Sequence, residues 1–381
     1  MICEKEKCTG CFACYNICPK NAIKMEEDIY GYIYPKIDKQ KCIDCRMCQK
    51  ICPQCNEKIK FKEPIETFAA YSDDEKIREN STSGGVATVF YKKIIENGGV
   101  GFGLSNIKNN KFCFMKVDTI EKINDVKGSK YVHGYIERTY KEVEEELGKR
   151  TVLFIGTPCQ VAGLKAYLRK EYENLITVDL ICHGVPSQKL LLEEFKRLDL
   201  KVENIDKVSF RCEKGYFLKC YQKENIILDI PIDKSYYYKG FMDALFMREN
   251  CYNCSFSQKQ RVSDITIGDF WGLDIEAKIN SNPEKGISVV LPITTKGDDF
   301  WNKCKYDFNY ERREIQEAVN GNAQLEKTVI KNKNYNKFRK YYIKDGLGKS
   351  YKKCMTIKQR MKNNLLIYNT YKKIKELRNE Q

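Results

Sequence analysis

Several kinds of segment are missing from this 381-residue chain. Its longest apolar runs, at residues 151–155 and 175–181, are far shorter than the roughly 20 residues that span a bilayer. No secretory signal opens the sequence, no nucleic-acid-binding module is recognisable, and nothing repeats beyond one short motif that occurs twice. These absences predict a cytoplasmic protein of two or three domains that neither spans a membrane nor binds nucleic acid.

The net charge is small in the body of the chain and large at its end. The net charge is +15, but residues 331–381 hold 16 lysines and arginines against three acidic residues, whereas residues 1–330 hold 51 against 49. We expect residues 311–381 to form a helical basic tail. Ile367, Tyr371 and Ile374 share one face of that helix among lysines, which allows either peripheral membrane contact or a solvated surface helix.

Cysteine, in contrast, is abundant, with 19 residues, ten of them within the first 55 positions. Eight of these ten form two copies of the pattern Cys-x2-Cys-x2-Cys-x3-Cys-Pro. In bacterial ferredoxins this spacing holds two [4Fe–4S] clusters, and the fourth cysteine of each copy ligates the other cluster. The sequence therefore predicts cluster I on Cys8, Cys11, Cys14 and Cys52 and cluster II on Cys42, Cys45, Cys48 and Cys18.

A disulfide framework and a pair of zinc sites are the alternatives for these cysteines. Disulfides suit a secreted chain, and zinc usually takes paired Cys-x2–4-Cys or His units rather than two fused triplets. Cys3 and Cys55 lie outside the pattern and are expected to be spare or buried thiols. Short strands are expected within residues 22–37, with a turn at Gly31. We expect residues 1–57 to form an α+β ferredoxin-like 2[4Fe–4S] module.

Strand–turn–helix units follow this module. The apolar runs at 151–155 and 175–181 each precede a turn and a helical pattern, which is typical of an α/β layer with parallel strands. Cys159 and Cys182 come directly after these strands, where such sheets bind ligands. Further strands are expected at residues 68–71, 98–104, 112–117, 208–211, 217–221, 226–230 and 287–293, the last clear one. We expect residues 65–310 to form this larger α/β domain, with a mixed sheet.

A second group of cysteines falls in this larger domain. Cys251 and Cys254 form a Cys-x2-Cys pair, which alone fits zinc, a redox dithiol or an iron–sulfur cluster. Cys159 and Cys182 are the candidates to complete the site, because they follow adjacent strands. Four thiolates from three segments favour an iron–sulfur cluster or structural zinc. The remaining cysteines are expected to pack in the interior, namely Cys113, Cys212, Cys220, Cys304 and Cys354.

Two loops of the larger domain suit an anion. Residues 80–86 place small residues and glycines before a helical run, with Ser83 or Thr82 as the expected N-cap, and free amide groups at such a start bind anions. An ordinary capped helix is the plainer interpretation. The loop at residues 128–132 carries Lys130 as an expected exposed cation.

Six motifs in this order resemble the beta subunit family of coenzyme F420 hydrogenases and dehydrogenases. They are Ser-Thr-Ser-Gly-Gly at 81–85, Gly-Ser-Lys-Tyr at 128–131, Gly-Thr-Pro-Cys-Gln at 156–160, Cys-His-Gly-Val-Pro-Ser at 182–187, the Cys251 and Cys254 pair, and Asp-Ile-Thr-Ile-Gly-Asp-Phe-Trp-Gly at 264–272. The resemblance implies a flavin-binding α/β domain in which FAD lies beside a third [4Fe–4S] cluster held by Cys159, Cys182, Cys251 and Cys254. It also implies flavin and pyrophosphate contacts from Ser81, Thr82, Ser83, Gly84, Gly85, Ser129 and Lys130.

These expectations describe an iron–sulfur flavoprotein oxidoreductase. It would pass electrons between ferredoxin-type [4Fe–4S] clusters and FAD, and on to or from an organic redox substrate or a redox partner protein. The alternatives are a coenzyme F420 oxidoreductase subunit, a reductase in polysaccharide or cell-surface sugar biosynthesis, and a non-catalytic electron-transfer subunit. His183 is a candidate proton donor to the reduced flavin, and a role in shaping its turn is the plainer interpretation.

Overall fold

The chain folds into a small cysteine-rich module, a central mixed sheet and a third unit of helices over a short sheet. The computed structural model describes residues 2–55, 59–212, 215–280 and 285–356. Its strands are β1 (Ile23–Glu27), β2 (Ile33–Ile37), β3 (Phe68–Ser72), β4 (Val100–Leu104), β5 (Phe114–Val117), β6 (Val152–Gly156), β7 (Leu175–Leu180), β8 (Lys207–Ser209), β9 (Phe217–Gln222), β10 (Asn225–Pro231), β11 (Ile265–Asp269), β12 (Ser288–Pro292) and β13 (Phe308–Arg312).

The α-helices connect and cover these strands. They are α1 (Ala13–Ile17), α2 (Met47–Lys50), α3 (Glu75–Glu79), α4 (Val86–Glu96), α5 (Ile123–Val126), α6 (Thr139–Leu147), α7 (Pro158–Leu168), α8 (Gln188–Arg197), α9 (Tyr236–Met242), α10 (Thr295–Cys304), α11 (Ile315–Gly321) and α12 (Tyr335–Cys354). The last one is interrupted at Gly346. No helix in the described ranges is both long and apolar enough to span a membrane.

The cysteine-rich module is an antiparallel hairpin flanked by two short helices. Strands β1 and β2 pair from Ile23 opposite Ile37 to Glu27 opposite Ile33, and Gly31 takes a positive φ of 79° in the turn between them. Helices α1 and α2 contain Cys14 and Cys48, the third cysteine of each motif. The hairpin and its Gly31 turn were both predicted from the sequence.

The central sheet has eight strands in the order β13-β3-β12-β11-β7-β6-β4-β5. Strands β4, β6, β7 and β11 are parallel neighbours, whereas β5, β12, β3 and β13 pair antiparallel. The strands in the middle are buried on both faces, which is why β6 reads as the continuous apolar run Val-Leu-Phe-Ile-Gly. The carboxyl ends of β6 and β7 therefore meet at one edge, as the sequence predicted.

Helices cover both faces of this sheet. On one face, Val89 and Phe90 of α4 and Trp301 of α10 pack with Leu153 and Ile155. On the other face, α6 and α7 share a hydrophobic core with the cysteine-rich module, in which Phe12 and Ile17 meet Phe154 and Val161. The module thus packs directly against the helix that begins beside Cys159.

The third unit is a separate sheet of β10, β9 and β8 covered by α8, α9 and α12. Its core is rich in aromatic side chains, including Tyr237, Tyr238 and Phe241. Cys220 lies within this core and Cys304 within that of the central sheet, both fully buried, as expected of packing residues.

Two sequence expectations require correction at the carboxyl-terminal side. Strand β13 was missed, because Phe308–Arg312 is an edge strand whose exposed charged residues resemble a surface helix. Helical structure begins at Ile315 rather than near residue 311. The amphipathic helix expected around Ile367, Tyr371 and Ile374 lies outside the described residues.

Candidate functional site

The cysteines of the module form one buried set and one exposed set. Cys8, Cys11, Cys14 and Cys52 are each less than 10% exposed, whereas Cys42 and Cys45 lie at the surface. Burial raises the pKa of Cys14 well above its usual range, and the nearby thiols of Cys11, Cys8 and Cys52 raise it further. The cysteine that ends the second motif therefore joins the first three of the first motif.

The exposed set repeats this crossed arrangement. Burial raises the pKa of Cys48, and among the groups that raise it further are Cys18 and Cys45. Cys18, which ends the first motif, also accepts a hydrogen bond from the amide of Ala22 at 3.3 Å. Cys18 thus lies near Cys45 and Cys48 of the second motif. The assignment of the eight cysteines to two clusters stays a prediction.

Both motifs bend the backbone in the same way around their cysteines. Gly10 and Asp44 precede the second cysteine of each motif with φ of 67° and 49°, and Phe12 and Arg46 follow it with φ of 63° and 56°. Such left-handed residues direct successive amide groups toward one point, and concavities of this kind bind anions and iron–sulfur clusters. A residue other than glycine in this region of φ is uncommon, so three of them at matched positions indicate a constrained loop.

The inner cysteines converge from three segments of the larger domain. Cys159 is the second residue of α7, Cys182 follows β7, and Cys251 and Cys254 lie in and after a short 3₁₀-helix at Glu249–Asn253. Burial raises the pKa of Cys159 well above its usual range, and the thiols of Cys254, Cys182 and Cys251 raise it further. All four side chains are half-buried. Cys254, Cys182 and Cys251 thus lie close enough to Cys159 to raise its pKa. That the four thiols share one cluster stays a prediction.

The described residues form no preformed site for a single metal ion. In the described parts of the chain, no three His, Cys, Asp or Glu side chains approach closely enough to share one metal ion. A cubane takes one thiolate on each of four irons and so spaces its ligands more widely. Burial raises the pKa of Cys182 to about 11 and that of Cys11 to about 12, so both are neutral thiols unless a cation holds them as thiolates.

Helix α7 links the two groups of cysteines. Thr157 caps this helix, and its hydroxyl lies 3.2 Å from Cys159 Sγ. On the next turns, a methyl group at Gly163 would lie 2.9 Å from Cys11 Cβ and 2.7 Å from Tyr140 Oη. Helix α7 thus carries Cys159 near its N-terminus, and Cys11 of the module packs against Gly163 of the same helix.

A cavity of about 380 Å³ adjoins the inner cysteines. Cys182 and His183 line it, and so do six of the seven residues that the sequence analysis assigned to flavin contact: Ser81, Thr82, Ser83, Gly85, Ser129 and Lys130. Gly84, the seventh, packs against the sheet instead, where a Cβ would lie 2.2 Å from the carbonyl oxygen of Ala70. The cavity and the inner cysteines thus share one wall.

The start of α4 differs from the sequence expectation. Its N-cap is Gly85, which takes a φ of 87°, and no side chain caps the helix. Ser83, an expected cap, donates from its hydroxyl to the carbonyl oxygen of Ile287 at 3.0 Å, and the Thr82 hydroxyl pairs with that of Ser129 at the same distance. The amide groups of the first turn of α4 are therefore left for another acceptor.

Lys130 was expected to be an exposed cation and is half-buried instead. Its ammonium group donates to the carbonyl oxygens of Val126 at 2.6 Å and Lys127 at 2.8 Å, at the end of α5. Burial lowers the pKa of Lys130 to about 7. The side chain still lines the cavity, where its charge changes near neutral pH.

The two ring nitrogens of His183 differ in their surroundings. Its Nδ1 lies 3.3 Å from Nε2 of Gln324, and its buried Nε2 has no hydrogen-bond partner in the described part of the chain. Burial lowers its pKa, so the ring is neutral at pH 7. A neutral imidazole with one free nitrogen can hold or transfer a proton there.

The sequence analysis missed Trp271 and Asp269, which line the cavity, and Arg211, which contacts both. Trp271 is 56% exposed, and the Arg211 guanidinium lies 5.4 Å from its ring centroid and 2.7 Å from Asp269. Trp271 and Asp269 belong to the motif at 264–272, which the sequence analysis identified without assigning a role to either residue. Arg211 comes from the third unit, and no local pattern connects it with that motif.

Comparisons with known proteins follow the same division of the chain. Models of the N-terminal and C-terminal parts of the coenzyme F420 hydrogenase/dehydrogenase beta subunit match residues 67–137 and 149–318, and a 4Fe-4S dicluster domain matches residues 7–56. No curated protein matches the chain. A solved structure, the xenon-derivatized F420-reducing [NiFe] hydrogenase complex from Methanosarcina barkeri, is similar with 20% identity and a TM-score of 0.49, over 80% of this chain and 94% of that one. That likeness is too distant to carry an argument.

Proposed function

The chain belongs to the coenzyme F420 hydrogenase/dehydrogenase beta subunit family, and from that premise we propose that it is an iron–sulfur flavoprotein oxidoreductase. The dicluster domain at its amino terminus makes it an iron–sulfur electron-transfer protein. The proposal adds a third [4Fe–4S] cluster on the inner cysteines and FAD in the neighbouring cavity. It also retains the division into residues 1–57, 65–310 and 311–381.

One observation carries the proposal. Four thiols from three distant segments meet beside a cavity, and one of them, Cys182, lines that cavity together with His183. The clusters, if bound at these places, would transfer single electrons. The flavin would convert between single-electron transfer and hydride transfer.

The cavity has the character of a flavin diphosphate site. Its volume of about 380 Å³ lies within the usual range of ligand pockets, about 300–1,000 Å³, and would admit part of a dinucleotide. Val86, the first residue of α4, and Lys130 both line it, and no side chain of the described residues caps that helix start. Amide groups at a helix start and a nearby cation are the groups that bind a diphosphate.

Residues of the chain would then have distinct tasks. Lys130 and the start of α4 would bind and orient the diphosphate. His183 lines the cavity and would hold a proton at its buried Nε2, because that nitrogen has no hydrogen-bond partner in the described residues. Cys42 and Cys45 lie at the surface, so we propose that cluster II faces a redox partner protein.

Coenzyme F420 is the first substrate to test. The family takes its name from this deazaflavin, and the exposed ring of Trp271 in the cavity lining offers a face on which a planar ring can stack. Arg211 beside it would complement an acidic group on the same substrate. Both roles are part of the proposal.

The experiment is anaerobic purification followed by assays of iron, acid-labile sulfide and flavin. We expect about 12 irons and one FAD per chain, as three cubanes and one dinucleotide require. Loss of Cys254 through C254S should remove only the third cluster and flavin turnover, whereas Cys220→Ala, a buried cysteine of the third unit, should change neither. Protein with eight irons and no flavin would instead be a non-catalytic electron carrier, and that result would refute the proposal.

A further inference from the structure

Arg248 is a buried cation that lies between the two groups of cysteines. The whole side chain is inaccessible to solvent, and it ranks among the largest fully buried side chains of the described residues. No carboxylate in the described ranges forms an ion pair with it. Removing an unpaired charge from water costs several kcal/mol, so such a residue needs a compensating negative charge nearby.

The guanidinium group contacts the buried cysteine set of the module. Its Nε donates to the carbonyl oxygen of Cys8 at 2.7 Å, and its Nη2 approaches Cys8 Sγ at 3.5 Å and donates to the carbonyl oxygen of Ile33 at 2.8 Å. Its Nη1 is buried without a hydrogen-bond partner in the described residues. The side chain therefore contacts the Cys8 thiol of cluster I, and its Nη1 is a donor that could bind a further acceptor.

The backbone of Arg248 holds the inner cysteines. Its amide donates to the carbonyl oxygen of Val185, three residues after Cys182, and its own carbonyl oxygen accepts from the amide of Cys251, both at 2.9 Å. Arg248 thus connects the segments of two of the four inner cysteines, Cys182 and Cys251, to a thiol of cluster I. The two sets are tied to each other at this point.

Two rings packed around the guanidinium, those of Tyr34 and His133, are neutral. The ring centroid of Tyr34 lies 4.4 Å from it, and burial raises the pKa of this tyrosine to about 12. Burial and the charge of Arg248 lower the pKa of His133 to about 3, so that imidazole is neutral too. A Cβ on Gly10 would lie 2.8 Å from His133 and 3.0 Å from Nη1, so this corner has no room for another group. The thiols of Cys8 and Cys251 are the groups around Arg248 that a bound metal would make anionic.

We propose that Arg248 is a positioning residue that raises the reduction potential of cluster I relative to cluster II and fixes cluster I beside the inner cysteines. The proposal rests on the proposed function, because it requires clusters at both sites. A reduced cluster carries one more negative charge than an oxidised one, and a buried cation stabilises the more negative state. Electrons arriving at cluster II would therefore be drawn inward to cluster I.

The test compares Arg248→Gln and Arg248→Lys in anaerobic redox titrations followed by electron paramagnetic resonance. The signal of cluster I is identified as the one that Cys14→Ser removes. We expect Arg248→Gln to weaken reduction of cluster I about tenfold, or 59 mV for one electron, and Arg248→Lys to weaken it about threefold, because lysine keeps the charge but loses the hydrogen bond to Cys8. Cluster II should keep its potential in both variants.

A matched control removes a charge beside the other cluster. Arg46 follows Cys45, and its side chain is 69% exposed, so Arg46→Gln should change the potential of cluster II by less than twofold because water screens that charge. If Arg248→Gln does not fold, Arg248→Lys carries the test. An unchanged cluster I potential in a folded variant, or equal shifts of both clusters, would overturn the inference. Wild-type protein without a cluster I signal would refute the proposed function instead.

Discussion

Flavin affinity should depend on pH through a single lysine. Lys130 lines the cavity, and burial lowers its pKa to about 7. Two of its three N–H bonds go to the carbonyl oxygens of Val126 and Lys127, which leaves one for a ligand. If a diphosphate binds there, its negative charge favours the ammonium form and raises the pKa of Lys130 in the complex.

The sign and the size of the effect follow from this shift. FAD should bind most tightly below pH 7, the approximate pKa of Lys130 in the free protein. The affinity should then fall as the pH rises from there to the higher pKa that Lys130 has in the complex. A charge-assisted hydrogen bond contributes about 1.5–3 kcal/mol, which corresponds to about 10- to 100-fold in affinity. At about pH 9 only about one in 100 free molecules carries the charge, so most of this range is accessible.

The assay is fluorescence titration of flavin-depleted, cluster-loaded protein with FAD between about pH 6 and pH 9. Wild-type affinity should fall across this interval, Lys130→Met should be weak throughout, and Lys130→Arg should be strong throughout because arginine stays charged. Lys122→Met, which removes a surface lysine paired with Asp118, is the control and should behave as wild type. A pH profile of Lys130→Met that is parallel to that of the wild type would refute the reasoning.

Three other substitutions test separate parts of the account. Cys254→Ser should reduce the iron content from three clusters to two while the spectra of the ferredoxin clusters persist; loss of all iron would show that the sets are not independent. His183→Asn should slow turnover about 100-fold or more, as loss of a general acid does, with the flavin content unchanged; full activity would assign His183 to the turn alone. Gly85→Ala places a Cβ at a φ of 87° and 2.9 Å from Ile77, whereas Gly98→Ala has a similar φ of 76° and no neighbour within 4 Å. Both variants should lose about 1–2 kcal/mol of unfolding free energy in urea denaturation because of the backbone conformation. Gly85→Ala should lose more, because its methyl group also clashes with Ile77, and equal losses in the two variants would contradict this clash.

Sequence reasoning succeeded where spacing reports geometry directly. The repeated spacing that begins at Cys8 and Cys42 matches the ferredoxin motif, which predicts the crossed pairing of the two sets, and that pairing stays a prediction. The parallel strands β6 and β7 were also predictable, because buried strands are apolar at every position. Cys159 and Cys182 followed from those strands, since each lies just beyond a carboxyl end.

Sequence reasoning failed where a residue acts through distant neighbours. Nothing near Arg248 in the chain indicates that it reaches Cys8, a residue 240 positions away. Lys130 was read as exposed because lysine usually is, and only the folded chain shows the carbonyl oxygens at the end of α5 that bind it. Strand β13 was missed for a related reason, since an edge strand needs few apolar residues and its partner β3 is far away in sequence.

The shared core of the cysteine-rich module and helix α7 has a mechanical consequence. Phe12 and Ile17 are packed together with Phe154 and Val161, so the module is wedged into the body rather than suspended from it. The cysteine-rich module is therefore held in a fixed position against the larger domain. The internal rate of electron transfer should be indifferent to solvent viscosity, and any slow, diffusive event would belong to the arrival of the partner at the exposed thiols.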